Sequence, residues 1–223
     1  MNRKDSSAAV FAMMLKSTLH LLWGIPVVKR IPKPCVTIFG GTYGEKNSPY
    51  QKEAYDLAAL FASNGVSLLT GGGPGTMEAA HCGFMSVPEE KRHNAKTLGI
   101  SVKGIDESFT NKCADVIRMP TFFSRKLLLT VHSDAFVIFP GGIGTVDELF
   151  DLLNLRKHVI LPPGPIFLVG SEYWHSLVSW YTDKALPQEF INKQYAHMFR
   201  VEDDLERICS QLCCRLFAQR CDK

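Results

Sequence analysis

Little in this chain is present in excess, and each shortfall narrows the classes of function. Its 223 residues hold 25 Lys and Arg against 22 Asp and Glu, a net charge of +3. That balance is too slight for a protein that tracks a phosphate backbone, so no nucleic-acid partner is expected. No uncharged stretch reaches the ~18 apolar residues of a membrane span, so no membrane partner is expected either. Hydrophobic residues make up 46% of the chain, which with so small a net charge excludes disorder. The seven cysteines (Cys35, Cys82, Cys113, Cys209, Cys213, Cys214 and Cys221) are odd in number, and four crowd into the last 15 residues. A secreted disulfide framework is even and spread out, so free thiols in a reducing, cytoplasmic setting are expected. Cys209 and Cys213 stand four apart, but no His or acidic partner completes a zinc-like spacing. No metal is expected, and these two read as buried thiols of a terminal helix.

What is present is regular. Residues 1–34 read as an N-terminal helix and linker: an amphipathic helix over Ala8–Trp23, stopped by Gly24 and Pro26, then an extended Pro26–Pro34 segment. Phe11, Leu15, Leu19 and Leu22 form a helical stripe that must pack somewhere. From residue 35 to 223 strands alternate with helices. The strands are Cys35–Phe39, Val66–Leu69, Leu98–Val102, Asp115–Ile117, Ala135–Phe139 and Pro165–Val169. The helices are Tyr50–Ser63, Thr76–Met85, Ser124–His132, Thr145–Arg156, Trp174–Ala185 and Glu202–Ala218. Apolar strands alternating with helices predict one α/β domain, a doubly wound parallel sheet of Rossmann-like type.

Ten of the 17 glycines fall in three segments, each directly after a strand: Gly40, Gly41 and Gly44; Gly71, Gly72, Gly73 and Gly75; Gly141, Gly142 and Gly144. In a parallel sheet such loops share the carboxyl edge, where ligands bind. Glycine there admits sharp turns and close approach, and exposed N–H groups at a helix start attract an anion, typically phosphate. No Gly-Lys-Ser/Thr follows any loop, which excludes a P-loop triphosphatase, and the GxGxxG dinucleotide fingerprint is incomplete. No cofactor is implied. The helix opening at Thr145 has two readings for Glu148: a Thr-x-x-Glu capping box, or a carboxylate reaching the sugar that a bound phosphate carries. Nine residues of helix Ser124–His132 cover about 14 Å and the five of the following strand about 17 Å. The lengths nearly cancel, so Arg125 lies on the glycine-loop edge. Arg125 and Lys126 oppose the helix dipole there, which points to an anionic group facing them.

The segment PGGIGTVDELF (140–150), with SRK (124–126) and HSDAFVIF (132–139) ahead of it, resembles the LOG family of nucleoside 5′-monophosphate phosphoribohydrolases. The family's PGGxGTxxE hallmark is met by Pro140, Gly141, Gly142, Gly144, Thr145 and Glu148, and its catalytic arginine falls on Arg125. LLTGGGPGTMEAA (68–80) is similar to the family's second glycine loop. The resemblance covers about Cys35 to Ala185 and departs from the family in two places. The first loop has Thr42 where many members carry Gly-Ser-Ser, and Phe122 and Phe123 replace the Met-His of plant-type members. Members often bear the label lysine decarboxylase, but no Ser-x-His-Lys motif for pyridoxal phosphate is present.

The resemblance implies hydrolysis of the N-glycosidic bond of a nucleoside 5′-monophosphate, AMP or a cytokinin ribotide, to free base and ribose 5-phosphate. Glu148 and Arg125 would be catalytic. Gly141, Gly142, Gly144 and Thr145, with Gly72, Gly73 and Thr42, would hold the phosphate. Phe122 or Phe123 would stack on the base, and Glu78 either touches the ribose or serves the helix dipole. A homodimer or larger homo-oligomer is implied as well. Two other readings remain open: a non-hydrolytic molybdopterin carrier-like protein, and a broader purine or pyrimidine nucleotide nucleosidase.

Overall fold

Alternation along the strands decides how the chain is layered. The computed structural model describes residues 3–42, 48–104, 111–158, 160 and 164–221. In it, β1 (Cys35–Phe39) sends Val36 and Ile38 into one core and Cys35 and Phe39 into the other. This is the two-residue period of a strand buried on both faces. Six further strands follow among the described residues: β2 (Ser67–Thr70), β3 (Thr97–Val102), β4 (Val116–Met119), β5 (Ala135–Ile138), β6 (Ile166–Leu168) and β7 (Arg200–Val201). All pair in parallel, in the order β4-β3-β2-β1-β5-β6-β7.

Helices α2 (Pro49–Ser63), α3 (Thr76–Ser86) and α7 (Leu205–Cys221) cover one face through residues such as Phe61, Phe84 and Leu212. Helices α1 (Arg3–Val28), α4 (Phe122–Val131), α5 (Ile143–Lys157) and α6 (Ser171–Ser179) cover the other, with Leu128, Leu152 and Trp174 in the core. The doubly wound parallel sheet is therefore as the sequence predicts. Strand order reverses between β1 and β5, so the crevice outside their carboxyl ends is where such a fold receives a ligand.

Several boundaries differ from expectation. The first helix does not stop at Gly24 and Pro26 but runs to Val28. Gly24 faces Leu128 so closely that a β-carbon would lie 2.8 Å from its Cδ1, so this glycine serves packing rather than termination. Pro26 forfeits one hydrogen bond, and Lys29 N–H still donates to Ile25 O at 2.9 Å. The stretch Ser7–Val28, with a mean hydropathy of 1.4, is long and apolar enough to cross a membrane by length and composition. Counting only uncharged residues hid it, because Lys16 interrupts the run. The Trp174–Ala185 helix is α6 continued by a wider π-helical turn, Trp180–Ala185. The two-residue strand β7 was too short to be read from periodicity.

The expectation of uniformly free thiols fails at one pair. Cys82 of α3 and Cys113, 31 residues apart in sequence, form a disulfide with their Cα atoms 4.9 Å apart. Only the fold brings them together. Cys35, Cys209, Cys213 and Cys214 are free, and of the terminal pair Cys209 is buried and Cys213 half-buried.

Candidate active site

The three glycine loops are joined to one another. Gly41 N–H donates to Pro140 O at 3.0 Å, and Thr76 N–H donates to Gly41 O at 3.1 Å. Gly72 and Gly75 take φ values of +72° and +71°, a left-handed conformation costly for a residue with a β-carbon. Beneath the second loop, Gly72 N–H donates to Thr70 Oγ1 at 2.9 Å. The same oxygen lies 2.8 Å from His81 Nε2, and His81 Nδ1 lies 2.6 Å from Thr97 Oγ1. Burial pushes the His81 pKa down to about 3, so the imidazole is a neutral strut between two strands.

Together the loops wall a cavity of about 670 Å³. Thr42, Gly72, Gly73, Gly142, Gly144 and Thr145 line it, as do Arg125 and Glu148. A β-carbon on Gly142 or Gly144 would meet nothing within 4 Å, so these two positions leave room at the α5 N-terminus. Gly142 is the N-cap, with no side-chain capping bond, and Thr145 N–H already bonds Gly142 O at 3.0 Å. The capping box expected over Thr145–Glu148 is therefore not formed, because the helix begins two residues earlier. Glu148 stands in the second turn and faces the cavity wall rather than the helix end.

Arg125 meets Glu148 there. Thr121 caps α4 by accepting from Ser124 N–H, which sets Arg125 in the first turn. Its Nε donates to Ile100 O at 3.0 Å, and its Nη1 lies 3.0 Å from Glu148 Oε1. Its Nη2 packs over Gly71, where a β-carbon would collide with it. Lys126 Nζ lies 2.7 Å from Asp147 Oδ2 and 3.7 Å from Asp151 Oδ2. The anionic group expected opposite the basic pair is thus, for both, a carboxylate of α5. Burial pushes the Glu148 pKa up to about 7, against the opposing pull of Arg125 and Lys126. Near neutral pH this carboxyl exchanges readily between its two protonation states.

Not every residue singled out in the sequence reaches the cavity. Phe122 lines it, but Phe123, 68% exposed, does not. Met77 lines it in place of Glu78. Each miss is one residue, or 100° of helix, from the residue that does. Gly141 lies behind the third loop against Thr145 and Gly41. Tyr43 and Gly44 of the first loop are outside the described residues.

The far end of the cavity was not anticipated. Ser101, Asn111, Asp115 and Arg118 line it from the ends of β3 and β4 and the segment between them. Asn111 Oδ1 accepts from Cys113 N–H at 3.0 Å, while its buried Nδ2 and the buried Ser101 Oγ have no partner. Such orphaned groups recover their lost hydration when a ligand bonds them. Their placement depends on strand order, which no local motif records. Among the described residues no group of three His, Cys, Asp or Glu side chains is arranged to hold a metal ion.

Against this geometry, the sequence pattern of a family described as possible lysine decarboxylase matches residues 77–212, more than half of the chain. The chain belongs to that family, the LOG family. Among LOG relatives, the cytokinin riboside 5′-monophosphate phosphoribohydrolase LOG5 of Arabidopsis thaliana is 28% identical over 177 residues, covering 78% of this chain and 73% of the relative. LOG3 of the same plant, bearing the same activity in its name, is 29% identical over 162 residues, 70% of this chain and 71% of the relative. Of solved structures, the molybdenum cofactor carrier protein of Chlamydomonas reinhardtii superposes with a TM-score of 0.60 at 20% identity, over 84% of this chain and 99% of its own. The molybdenum cofactor binding protein of Rippkaea orientalis gives 0.54 at 24% identity, over 81% and 95%. At these identities the structural likenesses speak to the fold alone.

Proposed function

We propose that this LOG-family protein hydrolyses the N-glycosidic bond of a purine nucleoside 5′-monophosphate, of the AMP or cytokinin-ribotide type, releasing free base and ribose 5-phosphate. The observation that carries this reading is the Arg125–Glu148 pair, buried in the cavity between an anion cradle and a polar wall. Neighbouring strands lie ~4.8 Å apart. The three steps from β5 to β3 therefore span about 14 Å, comparable to an extended nucleoside monophosphate. With the phosphate on the α5 N-terminus and the Gly142–Thr145 loop, the base reaches Ser101 and Asn111. The C1′–N bond then lies near β2, where Arg125 packs over Gly71.

In the reaction, the C1′–N bond breaks with its electron pair leaving on the base, and the sugar passes through an oxocarbenium-like state. Ionised Glu148 stabilises that positive charge and accepts a proton from the water that adds to C1′. Arg125 holds Glu148 in place and in its charged form, and faces the departing base. Thr42, Gly72 and Gly73 complete the anion cradle. Phosphate binding remote from the bond positions the sugar. The carrier-like alternative needs the glycine loops but not a buried Arg–Glu pair.

The test is incubation of the purified protein with AMP, GMP, IMP, CMP and a cytokinin ribotide, with chromatography of the products. Base and ribose 5-phosphate from the purine or cytokinin nucleotides are expected. Absence of release from every nucleotide, with molybdopterin retained on gel filtration, would favour the carrier instead.

A further inference from the structure

The chain's positive charge is not spread over it. The first 34 residues hold six basic residues (Arg3, Lys4, Lys16, Lys29, Arg30 and Lys33) and a single acid, Asp5, a net charge of +5. The remaining 189 residues carry a net charge of −2. The cationic part coincides with α1, the helix least covered by the rest of the protein. One face of α1 is docked: Ser17 Oγ lies 3.0 Å from Thr121 Oγ1, Gly24 packs on Leu128, and Val28 is buried. The opposite face carries Phe11, Leu15, Leu19, Leu22 and Trp23, which are 53–69% exposed. Their spacing of four, four, three and one keeps them on one side of a helix. An exposed apolar stripe of this length marks an interaction surface.

We infer that α1 lies flat in the headgroup region of an anionic lipid bilayer and holds the domain against the membrane. Three features favour lipid over other occupants. Leu, Phe and Trp on one face with Lys and Arg at its margins and ends is the composition of an interfacial helix. The local charge of +5 is complementary to an anionic leaflet and opposes an overall acidic domain, so it orients α1 towards the lipid. A second copy pairing helix to helix through the same stripe would set +5 against +5, with Lys16 of each near the midpoint of an antiparallel pair. A spanning arrangement is disfavoured too. It would place Lys16 near the bilayer centre and strip Gly24 and Val28 from α4, whereas a flat helix keeps that docking. The inference is independent of the reaction assigned to the cavity.

Flotation of the full chain through a density gradient tests this. Phosphatidylcholine vesicles containing about 30% phosphatidylserine should carry about tenfold more protein upward than pure phosphatidylcholine vesicles, with loss of binding at high salt. The Leu19→Glu/Leu22→Glu variant, altered only on the exposed face, should stay at the bottom while melting like the parent. A parent protein that fails to float with anionic vesicles overturns the inference. So does equal flotation with both vesicle types. Light scattering identifies the rival occupant: a parental dimer that becomes monomeric in the double variant, without flotation, assigns the stripe to a second copy.

Discussion

Arg125 Nη1 and Glu148 Oε1 lie 3.0 Å apart, with the two side chains only 14% and 10% exposed. Neither residue can be understood alone. Burial favours the neutral carboxylic acid and the adjacent guanidinium favours the carboxylate, and the balance leaves the Glu148 pKa at about 7. Removing either partner is therefore expected to change the state of the other.

Arg125→Ala should lower kcat/KM by about 100-fold or more, as expected for loss of a charged group held against the reacting centre. Its effect on stability should depend on pH. At pH 6 Glu148 escapes the loss by taking up a proton, so little stability is lost. At pH 8 ionised Glu148 is left without its partner, and the loss grows. Thermal melts of the variant and the parent at both pH values check this. A deficit independent of pH would point to packing through the Ile100 contact instead.

The activity of the parent should follow ionisation of Glu148. As proton acceptor it must be charged, so kcat/KM should rise tenfold per pH unit below about 7 and level off above. A falling limb through the same region would make Glu148 the acid that protonates the base. Stability runs the other way. The folded pKa lies above the unfolded value of 4.5, so between these limits the native state holds more protons and becomes less stable as pH rises. Glu148→Gln cannot ionise. Its stability relative to the parent should therefore increase from about pH 4.5 to about pH 7, while its turnover is abolished throughout.

Much of this site is legible in the sequence, and the boundary of legibility has a physical origin. Strand-then-glycine signals are local, so the three loops could be assigned to one edge before the fold was known. The lengths of one helix and one strand placed Arg125 on that edge. The Thr145–Glu148 spacing, by contrast, matches a capping box, yet Gly142 caps α5 and Glu148 turns to the cavity. One residue of helical phase separates Phe122 from Phe123 and Met77 from Glu78, finer than pattern reading resolves. Asn111 and the Cys82–Cys113 bond were beyond reach, since both depend on strand order rather than on neighbouring residues.

Asn111 should read the base. Its Oδ1 is occupied by Cys113 N–H, so its amide N–H₂ offers only donors and requires an acceptor on the ligand. Asn111→Leu should raise KM for the preferred nucleotide about tenfold or more, with a smaller change in kcat. The parent should discriminate against the deaza analogue lacking that acceptor, and the variant should not. Equal discrimination by both proteins would place the base elsewhere in the cavity.

His81→Ala should separate support from chemistry. It leaves Thr70 and Thr97 without their shared partner, a cost of about 1–3 kcal/mol. It should also raise KM by loosening the Gly72 loop, with no shift in the pH at which activity levels off. Because the folded His81 pKa is lowered to about 3 from 6.5, the unfolded chain binds more protons between these values. The parent thus loses stability as pH falls below about 6.5. The variant should show a shallower acid decline in urea titrations.

The most direct test of the central claim is hydrolysis of AMP in water enriched in oxygen-18, followed by mass spectrometry of the products. Attack of water at C1′ predicts the label in ribose 5-phosphate, equimolar free adenine, unlabelled phosphate groups and no reaction with Glu148→Gln. Label appearing in inorganic phosphate, or undiminished release by Glu148→Gln, would contradict the account.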